Sequence, residues 1–228
     1  MGILLVRSFD LDFESLTETL NPSYCGVPVS FTRFADGEAA CIWNRSHCAK
    51  SDGWEWHGGR RSDLPERLLA ALRYDAQGYL LGITAAEHHP DDHRQLLAEV
   101  KQGISFVTFA EIFIFANYQR FQCLGLTHCC TIGNRGEIQT PKTPDDPAWV
   151  KTIDQLVPFM VECSRPMLVS AGPWACVLIH EYWKRCPKHM RRVVLDVGSA
   201  MDERHKGRRT RRYQKPGSGL QSWKPKWQ

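Results

Sequence analysis

The 228-residue chain has no apolar run near the ~20 residues that a membrane-crossing helix needs. Its start, Met1 to Arg7, has four apolar residues and then charge, which does not fit an export signal. The nine cysteines are an odd number and scattered, so they read as reduced thiols of a cytoplasmic protein and not as a disulfide framework. No Walker A segment, no G-x-G-x-x-G and no G-x-S-x-G elbow occurs, which argues against a serine hydrolase and the common phosphate-loop folds. Zinc patterns fail as well. His180-Glu181 lacks a second histidine at protease spacing, Cys41 and Cys48 are seven apart, and His128-Cys129-Cys130 are contiguous. His89 and His93 have i, i+4 spacing but no evident third ligand.

What is present is ordinary in amount and uneven in place. Hydrophobic residues make up 43% and charged residues 24%, which excludes a mostly disordered chain. The length suits one domain, residues 1–213, followed by a basic flexible tail, residues 214–228. The formal charge of +4 hides a split. From Lys184 to Gln228 there are 14 Lys and Arg against three acids, +11, and the preceding part carries −7. Such a concentration fits a polyanionic partner, or a solvated extension that aids solubility.

Strand-like and helix-like segments alternate. Val27–Phe34, Tyr79–Thr84, Ser105–Val107, Met167–Ser170 and Val193–Val197 read as strands. Leu64–Arg73, Pro90–Lys101, Phe109–Phe121, Trp149–Cys163 and Pro173–Arg185 read as helices, with Pro158 expected to kink or split the fourth. This alternation predicts an α/β, Rossmann-like fold: a mostly parallel sheet with helices on both faces and a basic, extended C-terminal tail.

Three segments carry chemistry. In Ser30–Glu38 (SFTRFADGE) a strand ends and Asp36 and Glu38 follow, one residue apart. Two hard oxygen donors there can share a divalent cation with substrate phosphates, and Arg33 can reach a phosphate or an acid. The same residues also read as a polar turn, with Asp36-Gly37 as turn chemistry and Glu38 opening a helix. In Met167–Trp174 (MLVSAGPW) an apolar strand runs into Ser170, Gly172 and Pro173. This is either an anion site at a helix N-terminus or a plain strand-to-helix turn. Asp196 ends the next strand, again at the ligand-binding edge of such a sheet. Gly207–Tyr213 (GRRTRRY) sets Arg209, Thr210, Arg211 and Tyr213 in a run suited to phosphates and base stacking, or in a solvated basic loop.

Taken together these blocks resemble glycosyltransferases of the GT-D type, whose hallmark is S-F-x-R-F-G-D-G-E. Here Ala35 replaces the usual glycine, which matters if the loop needs a positive φ. Asp52-Gly53, Leu64-Pro65 and Tyr79–Gly82 are similar to the family's next blocks. Ser170–Pro173, Leu178–His180, Leu195–Ser199 and Thr210–Tyr213 are similar to its closing ones, so the resemblance spans residues 27–213. It implies transfer of a sugar from a nucleotide-sugar donor, with Asp36 and Glu38 binding a divalent cation (Mn or Mg) and the donor diphosphate. Arg33, Gly37, Ser170, Gly172, Pro173, Arg209, Thr210, Arg211 and Tyr213 are then the expected donor-binding residues. Asp52 and Asp196 are the candidate bases for the acceptor hydroxyl.

The acceptor is open at this level. The +11 region points to nucleic acid, such as hydroxymethylated pyrimidines of viral DNA modified by a phage enzyme in the host cytoplasm. The family points to a glycan or protein acceptor. A non-catalytic nucleic-acid-binding module, using Tyr213, Trp223 and Trp227 for stacking with Lys215, Lys224 and Lys226, is the competing class. It gives Asp36 and Glu38 no role.

Overall fold

The computed structural model describes residues 8–49, 54–59, 62–100, 107–207, 209 and 211–225. In chain order the elements are α1 (Phe9–Glu18), β1 (Ser30–Phe34), α2 (Asp36–Ile42), β2 (His47–Ala49), β3 (Trp54–Trp56), α3 (Leu64–Leu72), β4 (Tyr79–Ile83), α4 (Pro90–Glu99) and β5 (Val107–Phe109). They continue with α5 (Tyr118–Gln122), β6 (Cys130–Gly133), β7 (Ile138–Gln139), α6 (Ala148–Glu162), β8 (Met167–Ser170), α7 (Trp174–Arg185), β9 (Val194–Asp196) and α8 (Asp202–Lys206).

Seven strands form one sheet in the order β5-β4-β1-β9-β8-β6-β7, and every adjacent pair is parallel. β2 and β3 form a separate antiparallel pair. A parallel sheet must be covered on both faces, and the strands alternate accordingly. Met167, Val169 and Val194 pack into one core with α2, α3, α4, α6 and α7. Phe31, Leu168 and Leu195 pack into a second core with α1 and α5. The chain runs outward from β1 through β4 to β5. It then crosses to the other half of the sheet and returns inward to β9, which lies beside β1. The reversal leaves a crevice at the carboxyl ends of β1, β9 and β8, where open α/β sheets bind ligands.

The expected α/β sheet with helices on both faces is therefore present. Several segments differ from their sequence patterns. Phe109–Phe121 is not a helix: β5 ends at Phe109, a turn follows, then a 3₁₀ turn at Phe115–Asn117 and the short α5. Its apolar residues are buried on all sides of the second core, so they show no period that could separate helix from turn. Pro158 neither splits nor ends α6, which runs through it for 15 residues. Residues 214–225 do not extend from the body. Leu220 and Trp223 pack against the second core, Ala116 N donates to Trp223 O (3.3 Å), and Lys224 pairs with Asp10 (2.6 Å). Apolar Leu220 and Trp223, spaced within a polar stretch, are enough to seat it. All nine cysteines are free, and among the described residues no helix is long and apolar enough to cross a membrane.

Candidate functional site

The crevice is a cavity of about 550 Å³, lined from one half of the sheet to the other. Its floor is set by β1. Ala35 is extended (φ −105°, ψ −164°), a conformation open to any residue, so the alanine in place of glycine carries no strain. Ala35 N donates to Glu38 Oε2 (2.9 Å), and the Glu38 carboxylate thereby caps the helix that Asp36 begins. Glu38 is 5% exposed. Burial pushes its carboxyl up to about 7; Arg33 and the Ala35 N–H oppose that, and Asp196 and Asp36 add to it.

Arg33 lies on the cavity wall with Asp196 behind it, Nε to Oδ1 3.5 Å, and donates from Nη1 to Ala110 O (3.3 Å). Burial alone would weaken its charge, but Asp196 and Glu38 more than offset this and hold the guanidinium protonated. Asp196 is 2% exposed and accepts from Gly198 N (3.0 Å). Burial raises its carboxyl and Arg33 draws it back. Cys176 of α7 donates Sγ–H to Arg33 O (2.9 Å), tying β1 to the helix behind it.

The β8 side of the cavity presents Ser170, Ala171 and Gly172. Gly172 takes φ +57°, a left-handed conformation that favours glycine, just before α7. Ser170 Oγ donates to Gly198 O (2.9 Å), joining the β8 and β9 loops. Beyond the sheet edge, Lys142 is carried over the cavity by a loop that two tryptophans hold. Trp149 Nε1 donates to Thr143 O (2.8 Å), Trp174 Nε1 donates to Pro144 O (2.6 Å), and the two indoles stack at 5.2 Å and 10°. Arg211 and Arg212 add positive charge to the same cavity.

At the opposite end, past β4 and β5, the cavity meets Thr84, His88, Glu111 and Phe115. Glu111 Oε1 accepts from Thr84 Oγ1 (2.8 Å), and Ala85 N donates to both carboxylate oxygens (3.1 and 3.2 Å). Phe115 has φ +53°, strained for a residue with a side chain. It stacks on His88 (5.2 Å, 8°) and meets Trp223 edge-on (4.7 Å), so the C-terminal segment closes this end.

A solved structure with which this chain aligns, at TM-score 0.51 and 13% identity, is that of the highly conserved domain of unknown function 1792, described as having a distinct glycosyltransferase fold. The alignment covers 90% of this chain and 82% of that one. The chain has a glycosyltransferase fold. No family model matches it, and no curated protein does.

Of the residues expected from sequence, Arg33, Asp36, Gly37, Glu38, Ser170, Gly172, Arg211 and Tyr213 line this one cavity. Pro173 stands at the start of α7 but off the wall, and Arg209 pairs with Glu203 (2.9 Å). Asp196 lies behind Arg33 and off the wall. Asp52 and Thr210 lie outside the described residues. Tyr213 is buried, shares a hydrogen bond with Ser199 Oγ (2.8 Å) and packs on Phe115 and Tyr118, so its ring is engaged within the fold. Glu111, Lys142 and Phe115 were not singled out from sequence, and Gly198 figured only within the Leu195–Ser199 block. The signal for Glu111 and Gly198 was their place just past strand ends; Lys142 had none beyond a Pro-rich loop.

Among the described residues no three His, Cys, Asp or Glu side chains form a metal cage. Asp36 and Glu38 still fit a hard divalent cation of the Mg²⁺ or Mn²⁺ type. Such an ion takes one or two carboxylates and completes its shell with substrate phosphate and water. Glu38 commits Oε2 to Ala35 N, which leaves Oε1 for this purpose.

Proposed function

We propose that the protein transfers a sugar from a nucleotide-sugar donor to an acceptor hydroxyl, with Asp36 and Glu38 holding a divalent cation. The observation that carries this reading is the cavity at the sheet's switch point in a glycosyltransferase fold, lined by two acids at the end of β1 and by the cationic Lys142, Arg211 and Arg212. When bound, the cation neutralises charge on the diphosphate. The chain's own groups supply the rest. Gly172 allows close backbone approach and Lys142 brings positive charge to the departing phosphates, while Arg211 and Arg212 add to the positive charge of the cavity. Arg33, kept charged by Asp196, supports the same region from the floor.

A non-catalytic nucleic-acid module leaves two carboxylates facing the bound phosphates with no counterion, which is unfavourable. Of the acceptor classes, hydroxymethylated bases in DNA rest on the basic charge of residues 184–228 alone.

The test is thermal shift and calorimetry with a panel of UDP-, GDP- and dTDP-sugars, with and without Mn²⁺. Metal-dependent stabilisation is expected for the wild type. In Asp36→Asn, donor turnover should drop by about 100-fold or more with melting unchanged, since an acid on the cavity wall contributes little to the fold. Full turnover in EDTA would defeat the metal assignment.

A further inference from the structure

We infer that Glu111 is the proton acceptor for the attacking hydroxyl, and that this hydroxyl lies in the β4–β5 part of the cavity. This rests on the glycosyl-transfer reading and deepens it.

Three observations carry the inference. The first is placement. Strand order puts the cavity's groups in a line along the sheet edge. Lys142 follows β7, the Gly172 turn follows β8, Asp36 and Glu38 follow β1, Thr84 follows β4, and Glu111 comes two residues past β5. Lys142 from the β7 loop and the Gly172 turn at the start of α7 suit the departing diphosphate. The attacking group must come from the other side of the anomeric carbon, and on that side Glu111 is a carboxylate on the wall.

The second is chemistry. Glu111 is 6% exposed, and burial raises its carboxyl above the ordinary range while the Thr84 and Ala85 donors limit the rise. Its oxygens are held by Thr84 Oγ1 and Ala85 N from the β4 loop, so the carboxylate is fixed before substrate arrives. Asp196, the alternative at a strand end, lies off the wall behind Arg33.

The third is strain. Four residues on, Phe115 is held at φ +53° beside His88 and under Trp223. Backbone strain of this kind persists where the surroundings impose it, and it clusters at ligand sites.

In the step itself the acceptor oxygen bonds to the anomeric carbon. The bond from that carbon to the diphosphate oxygen breaks, and its electron pair leaves on the diphosphate. The hydroxyl proton passes to Glu111.

The test needs no knowledge of the natural acceptor. The full-length protein with Mn²⁺ and the same nucleotide-sugar panel is assayed for nucleoside diphosphate release, with water or with azide as nucleophile. Water must lose a proton; azide is already an anion and forms a glycosyl azide without a base. Glu111→Gln keeps an oxygen for Thr84 and Ala85 but loses the charge. It should slow water-driven release by about 100-fold or more and leave azide-driven release within a few-fold of wild type. Wild-type hydrolysis in Glu111→Gln would overturn the inference, as would equal loss of both reactions with donor binding intact. Should that variant fail to fold, Glu111→Asp decides. It must slow the water reaction while sparing the azide reaction, and equal loss of both overturns the assignment. A wild type that releases no diphosphate from any donor overturns the transfer reading, and Glu111's role with it.

Discussion

A Cβ on Gly198 would lie 1.9 Å from Arg33 Nη2, and its φ of +45° already favours glycine. The guanidinium therefore occupies space that only this residue type leaves open, and Asp196, two residues before, supplies its counter-charge. Glu38 belongs to the same buried group. Its carboxyl ordinarily titrates near 4.5 and in the fold near 7, with burial as the leading cause. At the acid end the group is protonated in folded and unfolded chains alike and adds no pH dependence. As pH rises through the folded value, the fold must carry a buried charge that the unfolded chain solvates, so stability is lost between about pH 4.5 and about pH 7. Glu38→Gln in EDTA should remove that fall, which is worth at most about 3 kcal/mol. Urea unfolding of both proteins across this range checks it; parallel curves would mean that Glu38 is already ionised at low pH. At this scale the sequence was readable where chemistry was contiguous. Arg33, Asp36 and Glu38 sit within six positions of one strand end, whereas Glu111 and its partner Thr84 are 27 residues apart and meet only through strand pairing.

The loop that carries Lys142 shows how an element far from the chemistry sets its geometry. Trp149 and Trp174 come from α6 and α7, yet their indole N–H groups hold the carbonyls of Thr143 and Pro144. Trp149→Phe retains an aromatic ring against Trp174 and removes one of these bonds. We expect a stability loss of about 1 kcal/mol and a larger relative loss in donor affinity, because Lys142 is released from its place. Melting temperature and calorimetry with the donor report the two effects separately; a melting change with unaltered affinity would detach Lys142 from the donor. Elements with clear start and stop signals were legible. α3 and α7 are bounded by Pro near the start and by strand signals after the end, and both are seen within a residue or two of their expected limits. Phe109–Phe121 has no such signals and was not legible, since its order comes from the core it fills and not from a period.

At the scale of the molecule, charge read along the chain and charge displayed on the fold differ. The last part of the chain carries 14 basic residues. If each of these met a phosphate, DNA affinity would fall with a log–log salt slope of about −13. Several already have partners within the chain. Arg204 donates to the carbonyls of Gln122 and Leu124, Arg209 pairs with Glu203, Arg185 with Glu181 and Asp154, and Lys224 with Asp10. Trp223 is likewise spent on Phe115 and His88 and cannot serve as an open stacking platform. Arg212, on the cavity wall, and Lys215, three residues on, are exposed. A polyanionic acceptor gripped there should therefore show a slope no steeper than about −3, and the double substitution Arg212→Glu with Lys215→Glu should flatten it. Removing residues 215–228 would be the wrong instrument. It strips Trp223 from Phe115 and should lower the melting temperature whatever the acceptor, because buried apolar contacts are lost with the charge. Filter binding to duplex DNA, with and without hydroxymethylated bases, reads the slope directly. A steep slope that survives the double substitution would place the nucleic acid on another surface. No binding at low salt would assign the acceptor to glycans or proteins, with the C-terminal segment serving only to close the β4–β5 end of the cavity.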